Sequence, residues 1–285
     1  MDPLSLEGKV AVVTGAGAGL GRAEALALAQ AGADVVVNDV PGGTGGDTVD
    51  AIEAAGGKAV LVEGDVGESA TARELVAAAE RLGGLHVVVN NAGVLRDRML
   101  FSMSDDDWDT VLRVHLRGHF LLSRDAAVYW RARAKAGDGT TYGRVVNTSS
   151  EAFLLGPPGQ PNYAAAKAGI VALTQSTARG LARYGVRANA ICPRARTAMT
   201  ADVFGEAPSG QDPLSPEHVA PLVAYLAAPA ADGISGQVFV VYGGMVALLA
   251  PPTVEQRFES PSWTLGELDD VVGGYMRSRT EEQWR

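Results

Sequence analysis

A chain of 285 residues that is 47% hydrophobic and 20% charged has the composition of a globular protein with a large core, and its length allows one or two domains. A formal net charge of -9 argues against a nucleic-acid backbone as partner, because such binding rests on lysine and arginine neutralising phosphates. The single cysteine, Cys192, excludes an intrachain disulfide, and no apolar run approaches the ~20 residues of a membrane span.

Met1 to Gly8 is short and acidic, unlike a signal peptide. Val10-Ala11-Val12-Val13 predicts a first strand, followed by a helix over Leu20–Ala31. Asp34–Asn38 and Ala59–Glu63 read as strands, each followed by a helix, Thr48–Ala55 and Ser69–Leu82. Then come a strand at His86–Asn90, a long helix from about Asp105 to Arg133, a strand at Arg144–Asn147, a helix over Asn162–Tyr184 and a strand at Arg187–Ile191. A helix near Glu217–Ala228 precedes the last strand, Val238–Val241. Strands that read as unbroken Val/Ile are buried on both faces, which marks a parallel sheet, and repeated strand–helix alternation predicts one doubly wound α/β domain over residues 1–245. Residues 194–215 lack periodicity and read as a mobile substrate loop near the C-terminal strand ends. Residues 246–285 form an extension with a helical stretch at Leu265–Met276, expected to pack on the domain or on a neighbouring subunit. The terminal Gln283-Trp284-Arg285 is not a peroxisomal address of the Ser-Lys-Leu kind, so a soluble cytoplasmic protein is the default expectation.

Thr14-Gly15-Ala16-Gly17-Ala18-Gly19-Leu20-Gly21 links the first strand to the first helix. Glycines there let backbone approach a pyrophosphate, and the helix N-terminus offers free N–H groups and the positive end of a dipole. Asp39 follows Gly21 by eighteen residues, at the end of the second strand, where a carboxylate binds adenosine ribose hydroxyls and repels a 2′-phosphate. Ala18 supplies no basic residue to attract that phosphate, so NAD is favoured over NADP. The alternative for Asp39 is a turn residue before Pro41-Gly42.

Tyr163 and Lys167 stand at i and i+4 of a predicted helix and share one face. A phenol with a pKa near ~10 is a poor base at neutral pH, and a neighbouring ammonium favours its phenolate. Ser150, thirteen residues upstream at the end of the fifth strand, can reach the same hydroxyl. The order carries weight that the Tyr-x-x-x-Lys spacing alone lacks: glycine loop, acid, serine, then tyrosine and lysine on successive units of one sheet.

On these motifs the chain resembles the short-chain dehydrogenase/reductase family over nearly its whole length: Thr14–Gly21 matches its glycine motif, Asn90-Asn91-Ala92-Gly93 its Asn-Asn-Ala-Gly turn and Tyr163–Lys167 its active-site pair. The resemblance implies a Rossmann-type seven-stranded parallel sheet of order 3-2-1-4-5-6-7 and a homodimer or homotetramer. It implies that Gly15, Gly19, Leu20 and Gly21 hold the cofactor, that Asp65 and Val66 lie beside the adenine, and that Asn91, Ala92 and Gly93 support the cofactor. It makes Ser150, Tyr163 and Lys167 catalytic, the last two also touching the cofactor, with Thr197 reaching the carboxamide.

Two positions depart from the family pattern. His115 stands where an Asn usually holds a water that links the lysine to solvent, and a histidine can relay a proton through either ring nitrogen. The same His, with Leu95-Arg96-Asp97-Arg98 and Asp106-Asp107-Trp108-Asp109, resembles the (3R)-hydroxyacyl-CoA dehydrogenase unit of peroxisomal multifunctional enzyme type 2. Pro193-Arg194 replaces the common Pro-Gly on the nicotinamide side. His115 and His119 share the spacing of a metal pair, but no third ligand is evident and no metal is expected. Arg96 and Arg98 are surface charges or contacts for a CoA phosphate; Trp108 and Trp130 fit a core or interface stripe, and Cys192 a small core residue. The resulting expectation is an NAD-dependent enzyme oxidising a secondary alcohol to a ketone, with a (3R)-hydroxyacyl-CoA, steroidal or otherwise, as substrate. The alternatives are a hydroxysteroid dehydrogenase, a 3-oxoacyl reductase, or an NAD-binding sensor without turnover.

Overall fold

In the computed structural model, which describes residues 2–205 and 207–279, the valine runs become the strands of one sheet. β1 (Val10–Thr14), β2 (Asp34–Asp39), β3 (Ala59–Glu63), β4 (Val87–Asn90), β5 (Gly143–Thr148), β6 (Val186–Pro193) and β7 (Val238–Tyr242) pair in parallel in the order 3-2-1-4-5-6-7. The expected seven strands are joined by an eighth. β8 (Met245–Leu248) turns back at Gly243-Gly244 and pairs antiparallel with β7, Tyr242 opposite Met245. Gly243, at φ 50°, supplies the left-handed turn, and a four-residue edge strand is too short to show a period in sequence. The compact unit accordingly runs to Leu249 rather than ending at 245.

Helices cover both faces. On one, α1 (Gly19–Gln30), α2 (Gly45–Ala54) and α9 (Ala220–Ala227) bury Ala25, Leu28, Ile52, Val223 and Leu226 against Ala11, Val13, Val37 and Val89. On the other, α3 (Ser69–Arg81), α5 (Gly118–Ala136) and α7 (Pro161–Leu181) bury Leu75, Leu121, Leu122 and Ala178 against Val12, Val36, Val88 and Val145. Trp130 belongs to this core, fully buried with its indole N–H donated to the Leu85 carbonyl at 2.8 Å. Cys192 is likewise buried, and burial pushes its thiol up to about 12, which makes it chemically inert.

The expected helix 105–133 is interrupted. α4 (Asp105–Leu112), opened by a Ser104/Asp107 capping box, passes into a π-helical turn at Arg113–Arg117 before α5 begins. Such a bulge widens the helix by one residue and re-aims its side chains, frequently at functional sites. Short helices α6 (Ala152–Leu155) and α8 (Ala201–Phe204) follow β5 and β6. Because β1 is flanked by β2 on one side and β4 on the other, the connections leave a crevice at the C-terminal strand ends, where open α/β sheets take their ligands.

Residues 250–279 belong to a second unit. There Thr264 and Glu267 form a capping box that opens α10 (Leu265–Leu268), a π-turn at Asp269–Gly273 and α11 (Gly274–Ser278). Phe258 meets Tyr275 edge-on at 5.4 Å. The terminal Gln283-Trp284-Arg285 lies outside the described residues. Among the described residues no helix is long and apolar enough to cross a membrane.

Candidate active site

A cleft of about 940 Å³ opens over the C-terminal strand ends. At one end lies the glycine loop. Gly15 and Gly19 take positive φ, 61° and 53°, so the chain turns from β1 into α1 without a side chain in the way. α1 has no side-chain N-cap, so its first N–H groups and Leu20 face the cleft unclaimed, as an anion site requires. Gly21 sits beneath, where a Cβ would overlap the Gly15 carbonyl and the Asn91 amide.

The Asn-Asn-Ala-Gly turn braces this loop. Asn91 Nδ2 donates to the carbonyls of Thr14 at 3.0 Å and Gly15 at 3.2 Å, while the backbone N–H groups of Asn91 and Ala92 both donate to the Thr14 hydroxyl. Thr14 is therefore the hub of the brace, a role hidden in sequence because threonine in a strand is unremarkable for its β-propensity. Gly93 serves a different neighbour: a Cβ there would collide with the His115 ring.

Asp39 ends β2 on the cleft wall, its Oδ1 accepting the Val40 N–H at 2.9 Å and its Oδ2 lying over Gly17 and Gly43, where no Cβ fits. Asp65 and Val66 line the cleft next to it. The Asp65 carboxylate is already engaged, accepting the Gly67 N–H at 2.8 Å and Arg113 Nη1 at 2.7 Å. Arg117 donates to the Gly67 carbonyl at 3.1 Å, and Val66 packs where a Cβ on Gly118 would stand. The π-turn thus pins the 65–67 loop from below, and Arg113 and Arg117 are site residues that sequence reasoning missed. An uncapped helix end, left-handed glycines and a carboxylate at the far wall together fit a dinucleotide.

At the other end, Ser150, Tyr163 and Lys167 converge. Tyr163 and Lys167 share the inward face of α7, with the ammonium 5.3 Å from the phenol ring centroid. Lys167 Nζ donates to the Thr148 carbonyl at 2.6 Å, and burial pushes its amine from the ordinary 10.5 down to about 7. Burial also raises the Tyr163 phenol, opposed by a hydrogen bond with Ser150. Ser150 stands at the turn out of β5, its Oγ accepting the Ala152 N–H at 3.2 Å.

The π-turn points His115 into this group, edge-on to Tyr163 with centroids 5.3 Å apart. Its Nε2 lies 3.0 Å from the Val94 nitrogen and 2.8 Å from the Val94 carbonyl oxygen, and Nδ1 is buried with no hydrogen-bond partner among the described residues. Burial and the Lys167 charge hold the ring well below its ordinary pKa, hence neutral. His119, one turn on, is also buried and driven down to about 3 by the same two causes. Among the described residues no group of three His, Cys, Asp or Glu is arranged to hold a metal.

The segment expected to form the substrate loop, residues 194–215, carries internal contacts. Arg196 runs through it, donating to Asp212 at 2.9 Å and to the carbonyls of Phe204 and Gly205, and the Arg196 N–H meets the Leu214 carbonyl at 2.7 Å. Thr197 is thereby held against Gly19, over the glycine loop. Arg96 lines the cleft while Arg98 lies outside it; the Arg96 guanidinium donates to the adjacent Leu95 carbonyl and that of Arg98 to the Asp97 carbonyl, each at 2.8 Å. Trp108 is partly exposed rather than core.

A doubly wound sheet carrying this glycine loop and a Ser–Tyr–Lys group defines an oxidoreductase that acts on CH–OH groups and uses NAD(P); the chain belongs to the short-chain dehydrogenase family, which residues 9–207 match. It is 62% identical to the hydroxyacyl-CoA dehydrogenase ChsB1 of Mycobacterium tuberculosis, over 98% of this chain and 92% of that protein. It is 41% identical to peroxisomal multifunctional enzyme type 2 of Mus musculus over 87% of this chain, which spans 33% of that longer protein. A crystal structure of a short chain dehydrogenase from Mycobacterium avium superimposes with a TM-score of 0.89 at 43% identity, covering 96% of this chain and 97% of that one.

Proposed function

We propose that the enzyme oxidises a (3R)-hydroxyacyl-CoA, with a bulky or steroidal acyl part, to the 3-ketoacyl-CoA, and that it does so with NAD. The observation that carries this is the convergence of Ser150, Tyr163 and Lys167 in a cleft whose far wall bears Asp39, and where Arg113, which also lines the cleft, is held by Asp65. The 62% identity to a hydroxyacyl-CoA dehydrogenase supports the substrate class.

Gly15, Gly19, Leu20 and the α1 N-terminus would hold the pyrophosphate, Asp39 the adenosine ribose, Asp65 and Val66 the adenine side, and Asn91 to Gly93 with Thr197 the nicotinamide half. When bound, the nicotinamide supplies the hydride acceptor. Tyr163, as phenolate, takes the hydroxyl proton of the alcohol. Lys167, held by the Thr148 carbonyl, would be its electrostatic partner: when protonated, a neighbouring ammonium favours a phenolate. Ser150, through its hydroxyl, orients the substrate oxygen before Tyr163. His115, held neutral by burial and with Nδ1 unpartnered among the described residues, would pass on the proton from Lys167. The same reading includes a homodimer or homotetramer in the cytoplasm, for which the exposed Phe120 and Val128 on α5 offer an apolar face, with residues 246–285 as its packing arm.

NADH formation measured across (3R)- and (3S)-hydroxyacyl-CoA esters, free hydroxysteroids and simple alcohols tests this. The expected result is turnover of the (3R) thioesters with NAD well above NADP. Turnover of free hydroxysteroids alone, or reduction of a 3-oxoacyl thioester only with NADPH, would overturn it.

A further inference from the structure

Arg194 stands where the chain departs from the family's usual glycine, and its side chain engages both Glu151 and Tyr242. Nε donates to Glu151 Oε2 at 2.6 Å and Nη2 to Oε1 at 2.8 Å, a two-pronged pair, while the guanidinium lies 4.7 Å from the Tyr242 ring centroid. Its backbone N–H continues the β6–β7 ladder, donating to the Val241 carbonyl at 3.0 Å. Glu151 is the residue after Ser150, at the start of α6, and Arg194 and Glu151 both line the cleft. One side chain therefore ties the Ser150 turn, the first residue of the substrate loop and the β7–β8 hairpin. A glycine at 194 could make none of these side-chain contacts.

We propose that the Arg194–Glu151 pair, seated on Tyr242, is a positioning clamp: it fixes the Ser150 turn against the strand that opens the substrate loop, and so sets where the substrate oxygen rests before Ser150 and Tyr163. Planar two-pronged pairing restricts the angle as well as the distance between its partners, which a lysine would not do. The side chains are 43% and 22% exposed, and pairs this open contribute little to stability. Positional error, by contrast, is costly in turnover, since a misplacement of about 1 Å can cost roughly a hundredfold. The clamp is thus expected to matter for rate more than for folding. This rests on the dehydrogenase reading above.

The test is a cycle of Glu151→Gln, Arg194→Gln and the double variant, assayed on whichever secondary alcohol the unmodified enzyme turns over best. Each single change should lower kcat about tenfold, leave KM for NAD nearly unchanged and move Tm little. The double variant should be no worse than either single, because a clamp broken once is broken. Arg194→Lys, which keeps the charge without the fork, should recover only part of the rate. Hydrogen exchange, which needs no substrate, should quicken in residues 150–156 and 194–200 together when either partner is changed. If the enzyme prefers an alcohol other than a hydroxyacyl-CoA, the substrate reading fails while the cycle still tests the clamp. Singles with normal kcat, costs that multiply in the double variant, or a fall in Tm that tracks the fall in kcat would each overturn it.

Discussion

Glu24 is a carboxylic acid placed where a carboxylate should not be. It lies on α1 among Ala23, Ala25 and Leu28, fully buried, and neither oxygen has a hydrogen-bond partner among the described residues. Burial raises its pKa from the ordinary 4.5 to about 8. Between those two values the folded chain holds a proton that the unfolded chain has released, so stability falls as pH rises from about 4.5 through about 8 and levels off above. At about 1.36 kcal/mol per pH unit, the cost is roughly 1 kcal/mol at pH 5, roughly 3 at pH 7 and nearly 5 at pH 9. Glu24→Gln keeps the volume and removes the proton linkage. The variant should therefore exceed the unmodified enzyme by roughly 1 kcal/mol at pH 5 and by roughly 3 kcal/mol at pH 7, the latter on the order of 5 to 10 °C in Tm. Urea unfolding of both proteins at acidic, neutral and alkaline pH reads this directly. A stability difference that is the same at every pH, or a variant less stable throughout, would refute the assignment of a buried, unpartnered acid.

Tyr163→Phe should leave NAD binding intact and lower turnover by at least about a hundredfold, the usual scale of a lost general base; near-normal turnover would remove Tyr163 from that role. Asp39→Ala should narrow the preference for NAD over NADP, since it deletes the ribose acceptor and the charge that repels a 2′-phosphate; equal use of both cofactors by the unmodified enzyme would contradict the reading. His115→Ala should slow turnover with little change in NAD affinity, and His115→Asn should restore much of it by rebuilding a water site. Turnover kept by His115→Leu would show that the ring only fills the space that Gly93 leaves for it. Alcohol oxidation should fall as pH drops, because burial raises the Tyr163 phenol and the base must be deprotonated; a flat profile of kcat/KM against pH would count against a phenolate.

The sheet was legible because each of its central strands is an unbroken apolar run, and only burial on both faces tolerates Val10 to Val13 or Val87 to Val89. The glycine loop, Asp39 and the Tyr163–Lys167 pair were legible for a local reason: each depends on backbone turn geometry or on one helix face, and such features are written in short spacings. The fold class, its strand order through the family resemblance, and the class of oxidoreductase could therefore be read from the chain alone. Contacts that join distant segments left no periodic trace. The π-turn that aims His115 and pins Asp65 through Arg113 reads in sequence as plain helix, since Arg113 to Arg117 has no glycine or proline to mark a break. Arg194 stood out in sequence as a departure from Pro-Gly and Arg196 carried no signal, yet one holds Glu151 and the other Asp212. Whether such an arginine is solvated or structural is settled by packing, because the partner carboxylates lie 43 and 16 residues away in the chain and the guanidinium's choice depends on where the fold delivers them.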